Sequence, residues 1–106
     1  MNRFLLVLPV TAAAALGVAL PAGAVNTIKL KDDIFVPKAT TVAKGSTVTF
    51  LWAGKNAHNV TVKSGPVKFT SPTKKTGTYK RKMTRAGTYR IVCTIHAGMR
   101  LTLTVK

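Results

Sequence analysis

From Thr27 onward, the apolar positions of this chain recur at every second residue. In 47-TVTFLW-52, Val48, Phe50 and Trp52 fall on one side and Thr47, Thr49 and Leu51 on the other. In 101-LTLTVK-106, Leu101, Leu103 and Val105 likewise stand opposite Thr102, Thr104 and Lys106. A period of two, with Val, Thr, Ile, Tyr and Phe enriched, describes half-buried strands rather than helices. Turn residues punctuate the runs at Lys44-Gly45, Ala53-Gly54, Ser64-Gly65-Pro66, Ser71-Pro72, Thr76-Gly77 and Ala86-Gly87. The spacing predicts strands near residues 27–31, 40–43, 47–53, 58–63, 77–83, 87–93 and 100–106. Short strands so spaced, with no helical pattern between them, make an all-β sandwich.

The first 24 residues break this pattern. Met1-Asn2-Arg3 is a short positive start, Phe4 to Leu20 is apolar apart from Thr11, and Ala22-Gly23-Ala24 has the small-x-small form of a cleavage site. This is the layout of a signal peptide over residues 1–24, followed by a single domain over residues 25–106. A retained membrane anchor is the alternative, but Pro9 interrupts the run and alanine fills its centre. The expected location is exported, periplasmic or extracellular and not membrane-spanning after cleavage.

Charge changes the picture next. The chain has 17 Lys and Arg against two acids, for a net charge of +15. Removal of residues 1–24 takes away only Arg3 and leaves +14, with Asp32 and Asp33 the sole carboxylate side chains. Set on a clear apolar pattern, this charge argues for anionic partners or surfaces rather than for disorder. Lys74-Lys75 and Lys80-Arg81-Lys82 are the densest run. It reads either as a solvated strand face that discourages edge pairing or as a docking patch. Nucleic acid is disfavoured as a partner, because Phe50, Trp52, Tyr79 and Tyr89 fall at core positions rather than forming a stacking platform.

A domain of about 80 residues buries a modest core and, with one cysteine, has no internal disulfide to help it. A bound metal is one way to make up the difference. The lone cysteine opens 93-CTIHAGM-99, where Cys93, His96 and Met99 follow one another at intervals of three between two predicted strands. A loop of that length can turn all three side chains toward one point. It leaves the site open on one side, and the other histidine, His58, begins a predicted strand that a sandwich can bring alongside.

Each residue alone has a plain structural reading: a small hydrophobe or an intermolecular disulfide partner for Cys93, a satisfied core or surface group for either histidine, packing for Met99. Together they make two imidazoles, one thiolate and one thioether. Zinc and hard cations are poorly served by a thioether, whereas two His and one Cys with a long axial Met suit copper that shuttles one electron.

The pattern of "HN" followed far downstream by C-x2-H-x2-M resembles the cupredoxins, the blue copper proteins of the plastocyanin and azurin family. The two-residue gap from His96 to Met99 resembles the short ligand loop of amicyanin-like members. The likeness runs through 35-FVPKATTVAKGSTVTFLWAGKNAHNV-60 and 86-AGTYRIVCTIHAGM-99. It implies a Greek-key β-sandwich binding one type 1 copper, with His58, Cys93 and His96 equatorial and Met99 axial. It also implies that Asn59 ties the two copper-bearing loops together and sends a hydrogen bond toward the cysteine sulfur, and that Tyr89 forms a tyrosine corner. Ile95 stands where the family often has Pro, and Ala97-Gly98 replaces a bulkier pair.

The function so implied is one-electron transport through Cu(I)/Cu(II) by a monomer, with electrons passing at His96 to redox proteins bearing acidic docking surfaces. Association with anionic cell-envelope polymers or lipids is a further expectation from the charge. The alternatives are a copper-binding protein for tolerance or delivery, and a basic binding module without metal. No enzyme is expected: Asp32 and Asp33 are adjacent, and a four-ligand copper keeps no open position for substrate.

Overall fold

In the computed structural model, residues 26–106 are described. The segment read as a signal peptide lies outside them. Among the described residues eight strands form: β1 (Thr27–Lys31), β2 (Ile34–Val36), β3 (Ala39–Val42), β4 (Thr47–Trp52), β5 (Thr61–Ser64), β6 (Thr78–Lys82), β7 (Gly87–Val92) and β8 (Arg100–Val105). They form two four-stranded sheets, ordered β2-β1-β4-β6 and β3-β8-β7-β5. Within each sheet one neighbouring pair is parallel, β1 with β4 and β3 with β8, and the others are antiparallel.

The alternation read from the chain decides what lies between the sheets. Ile28 and Leu30 of β1, Val48, Phe50 and Trp52 of β4, Tyr89 and Ile91 of β7, and Leu101, Leu103 and Val105 of β8 share one buried cluster. Their alternates face outward, so each strand buries one side only. Every full burial of such an aliphatic or aromatic side chain contributes about 1.5–3 kcal/mol relative to exposure.

Most connections cross from one sheet to the other, which gives the Greek-key arrangement. Consecutive strands pair directly in only two places, β1 with β2 and β7 with β8. These two hairpins close at the same end of the sandwich. The loop of the first is Asp32-Asp33, and the loop of the second is residues 93–99. Cys93, His96 and Met99 therefore sit at the same end as Asp32 and Asp33.

Two differences from the sequence reading matter here. Strand β2 has no counterpart among the strands predicted from the pattern: three residues with Phe35 alone buried are too short to express a period. Conversely, residues 58–60 are not a strand. His58 makes an isolated bridge to Lys74, and regular pairing with β7 starts at Thr61.

The Lys80-Arg81-Lys82 part of the basic run lies on β6, an edge strand. Lys80 and Lys82 are exposed, while Arg81 lies back over the ring of Phe69 at 4.6 Å. Tyr89 closes the tyrosine corner, its hydroxyl donating to the carbonyl of Arg85 at 2.7 Å. Replacing Tyr89 with Phe removes that one bond and little else. The expected loss is about 1 kcal/mol of unfolding free energy, read as a lower denaturant midpoint with an unchanged slope.

Candidate metal centre

Three segments converge at the hairpin end. Strand β4 stops at Trp52, and the chain turns through residues 53–57 before delivering His58 to the interior. Trp52 anchors this return, its indole Nε1 donating to the His58 carbonyl at 3.0 Å. Backbone bonds from His58 N–H to the Lys74 carbonyl at 3.0 Å and from Lys74 N–H to the His58 carbonyl at 3.1 Å fix its backbone on the other side. The imidazole of His58 is wholly buried.

The second segment is the β7–β8 loop. Cys93 N–H donates to the Met99 carbonyl at 3.1 Å and Met99 N–H to the His96 carbonyl at 3.2 Å, so the loop closes on itself. Gly98 has φ +81°, the left-handed region open to glycine without cost. Cys93 and Met99 are buried at the two ends of the loop, and the His96 side chain is 25 % exposed at its crest.

The ligating atoms of His58, Cys93 and His96 all fall within 4.8 Å of one another. The two Nδ1 atoms are 3.1 Å apart, and Cys93 Sγ is 3.5 Å from His96 Nδ1 and 4.0 Å from His58 Nδ1. A point equidistant from the three atoms is about 2.1 Å from each, the length of an ordinary metal–nitrogen bond and slightly short for metal–sulfur. The donor set and its spacing fit one metal ion.

Asn59 joins the segments. Its Nδ2 donates to Thr94 Oγ1 at 2.8 Å and to Thr73 Oγ1 at 3.3 Å, and its Oδ1 accepts from Thr94 N–H at 3.2 Å and Thr61 Oγ1 at 2.9 Å. Asn59 thus joins the His58 segment to the β7–β8 loop through Thr94, the residue after the cysteine.

Asp32 and Asp33 cap this end from the β1–β2 hairpin. Asp32 Oδ1 accepts from Lys55 N–H at 2.7 Å and Asn56 N–H at 2.9 Å, clamping the loop that leads to His58. Those backbone donors, Asn56 first, hold its carboxyl below the usual carboxylate range. A Cβ on Gly54 would collide with this carboxylate, so the clamp needs glycine there. Burial pushes the pKa of His58 down, the neighbouring His96 adds to the effect, and Asp33 and Asp32 oppose it. His58 is thus kept neutral with a lone pair for metal.

From the sequence the two acids count only as poor catalytic candidates. Their adjacency along the chain says nothing about the histidines above which the hairpin places them. Ile95 stands out in the sequence only as a departure from a family proline. It is 52 % exposed beside His96 and is the bulkiest apolar group on the loop, where Ala97 and Gly98 are also exposed.

The chain belongs to the copper-binding proteins of the plastocyanin/azurin family, whose pattern matches residues 23–106. Copper is the metal that this family and the His58–Cys93–His96 cluster fit. Among solved structures, the oxidised form of an amicyanin mutant is similar at 27% identity and a TM-score of 0.66, over 84% of this chain and 88% of that one. A purple cupredoxin from Nitrosopumilus maritimus shares the fold, with a TM-score of 0.70 at 20% identity over 77% of this chain and 100% of the other. A copper-containing nitrite reductase from Thermus scotoductus SA-01 matches 93% of this chain at 26% identity and a TM-score of 0.68. That match takes in 27% of the reductase, so this chain spans about a quarter of the enzyme's length. No curated protein sequence matches the chain.

Two outcomes check the centre. Asn59→Ala removes the side-chain bonds to Thr94, Thr73 and Thr61 and is expected to cost about 1–3 kcal/mol, read by denaturant unfolding of the metal-free protein. The lowered pKa of His58 also gives that protein a pH dependence. Above about pH 6.5 the residue is neutral folded and unfolded; below it, the unfolded state takes up a proton that the folded state resists. The melting temperature should therefore fall between about pH 7.5 and pH 5.5, and His58→Gln should flatten the decline.

Proposed function

We propose that this protein is an exported one-electron carrier in which His58 Nδ1, Cys93 Sγ and His96 Nδ1, with Met99 Sδ as a fourth donor, would hold one copper ion that would supply a Cu(II)/Cu(I) couple. The observation that carries this reading is the convergence of the three donor atoms around a point one metal bond from each. Bound copper supplies the one-electron couple.

The chain's own residues supply the conditions for rapid exchange. Cys93 contributes a thiolate and the histidines neutral nitrogens, a mixed set between the preferences of the two oxidation states. The self-closed 93–99 loop and the bonds of Asn59 to Thr94 resist movement of the donors when the charge changes. Burial of Cys93, His58 and Met99 excludes water, and His96 is the one proposed ligand that reaches the surface. Electrons enter and leave there, across a small apolar rim of Ile95, Ala97 and Gly98.

A rim of that size suits brief encounters. The +14 charge of residues 25–106 favours redox partners with acidic docking surfaces and makes their approach sensitive to salt. It also favours retention near anionic polymers or lipids of the cell envelope. Export rests on the features of residues 1–24.

Addition of Cu(II) to the purified metal-free protein is expected to give intense visible thiolate-to-copper absorption that vanishes in Cys93→Ser. Met99→Leu should keep the band and raise the reduction potential, because loss of an axial donor disfavours Cu(II). A wild-type protein without the band, or an unchanged band in Cys93→Ser, would refute the assignment.

A further inference from the structure

The two carboxylate side chains of residues 25–106 both lie on the hairpin tip above the proposed copper ligands, although sixteen cations are spread over the rest of that segment. They are not equivalent. Asp32 is spent on the backbone of residues 55 and 56, and its Oδ1 stands 3.9 Å from His58 Nε2, which has no hydrogen-bond partner. Asp33 Oδ1 lies 3.2 Å from His96 Nε2.

The position of Asp33 is built. Its backbone has φ +64°, a left-handed conformation that a two-residue hairpin loop requires of it and that Asp tolerates better than most residues. Asn56 Nδ2 donates to the same Oδ1 at 3.3 Å, so the carboxylate is held from the far side by the loop that delivers His58. The 53–57 loop, the β1–β2 tip and the crest of the β7–β8 loop thus meet at one carboxylate.

For His96 the consequence is chemical. Its Nδ1 faces Cys93 Sγ and His58 Nδ1. To offer that nitrogen to a metal, the neutral ring must carry its proton on Nε2. A carboxylate oxygen at 3.2 Å favours the proton there and resists rotation of a ring otherwise free on its exposed side.

We propose that Asp33 is a positioning residue for His96: it selects the Nε2–H tautomer, fixes the ring, and by its negative charge biases the site toward the oxidised metal. The last of these effects rests on the copper reading above, whereas the first two concern the metal-free ring and stand apart from it.

The test uses Asp33→Asn, which keeps an oxygen acceptor but not the charge, and Asp33→Gly, which fits φ +64° without strain and removes both. Long-range nitrogen-15 NMR of the metal-free protein at about pH 8, where imidazole is neutral, reads the tautomer of His96. Wild type and Asp33→Asn are expected to show the Nε2–H form, and Asp33→Gly a mixture of forms with a broadened ring signal. With copper bound, both variants should keep the visible band, since none of the four proposed ligands is altered. In both, reduction should become more favourable by roughly threefold to tenfold, an upward shift of at most about 59 mV for a one-electron couple. An unchanged His96 spectrum in Asp33→Gly overturns the positioning role. An unchanged potential in both variants, with the band intact, overturns the electrostatic one. Absence of the band in wild type would instead count against the copper reading, and the metal-free spectrum would still decide the tautomer and the fixing of the ring.

Discussion

The pair of hydrogen bonds between Asn59 and Thr94 is the contact on which the rest of the metal end depends. The proposed ligands come from two stretches of chain 35 residues apart, with no disulfide to join them. The core holds the strands beneath, but strands end before the ligands begin. Across that gap, one amide side chain donates to and accepts from the residue beside the cysteine, so His58 and Cys93 are held to a common frame. Satisfying both sides of the same amide in a partly buried place leaves little freedom to drift.

Much of this is legible in the chain, and the reasons differ by element. The alternation of Val48, Phe50 and Trp52, and of Leu101, Leu103 and Val105, is long enough to reveal a half-buried strand, and these residues are the core. Cys93, His96 and Met99 can be grouped because a tight loop keeps sequence neighbours near in space. His58 can be added by elimination and ligand chemistry. Strand β2 escapes notice because one buried residue carries no period. Residues 58–60 look like a strand because they run into the alternation of Val60, Thr61, Val62 and Lys63, yet the backbone bridges to Lys74 before it pairs with β7. Asp32 and Asp33 are opaque for a further reason. Their meaning lies in which loop folds over which, and that depends on the register of β1 against β2 and β4.

Charge is arranged by the same logic. Lysines on the outward face of β6 keep an open sheet edge in water and hostile to another strand, while the two negative groups are gathered at the end where the proposed copper ligands meet. A basic protein surface and an acidic cap over the metal centre act at different ranges. The first extends its field to about a Debye length, and the second bears on the two histidines beside it.

The 93–99 loop connects two adjacent antiparallel strands and is closed by its own backbone bonds. Its interior residues, Thr94 to Gly98, therefore bear little of the sandwich's register. Such an arrangement separates what the scaffold demands from what the chemistry demands: the side chains of Ile95 and Ala97 carry neither strand register nor a proposed ligand, whereas Thr94, tied to Asn59, and His96 are held by the site itself. The surface at the crest of the loop is thus set by Ile95, Ala97 and Gly98, all exposed, and its character can be altered there without touching the layers below.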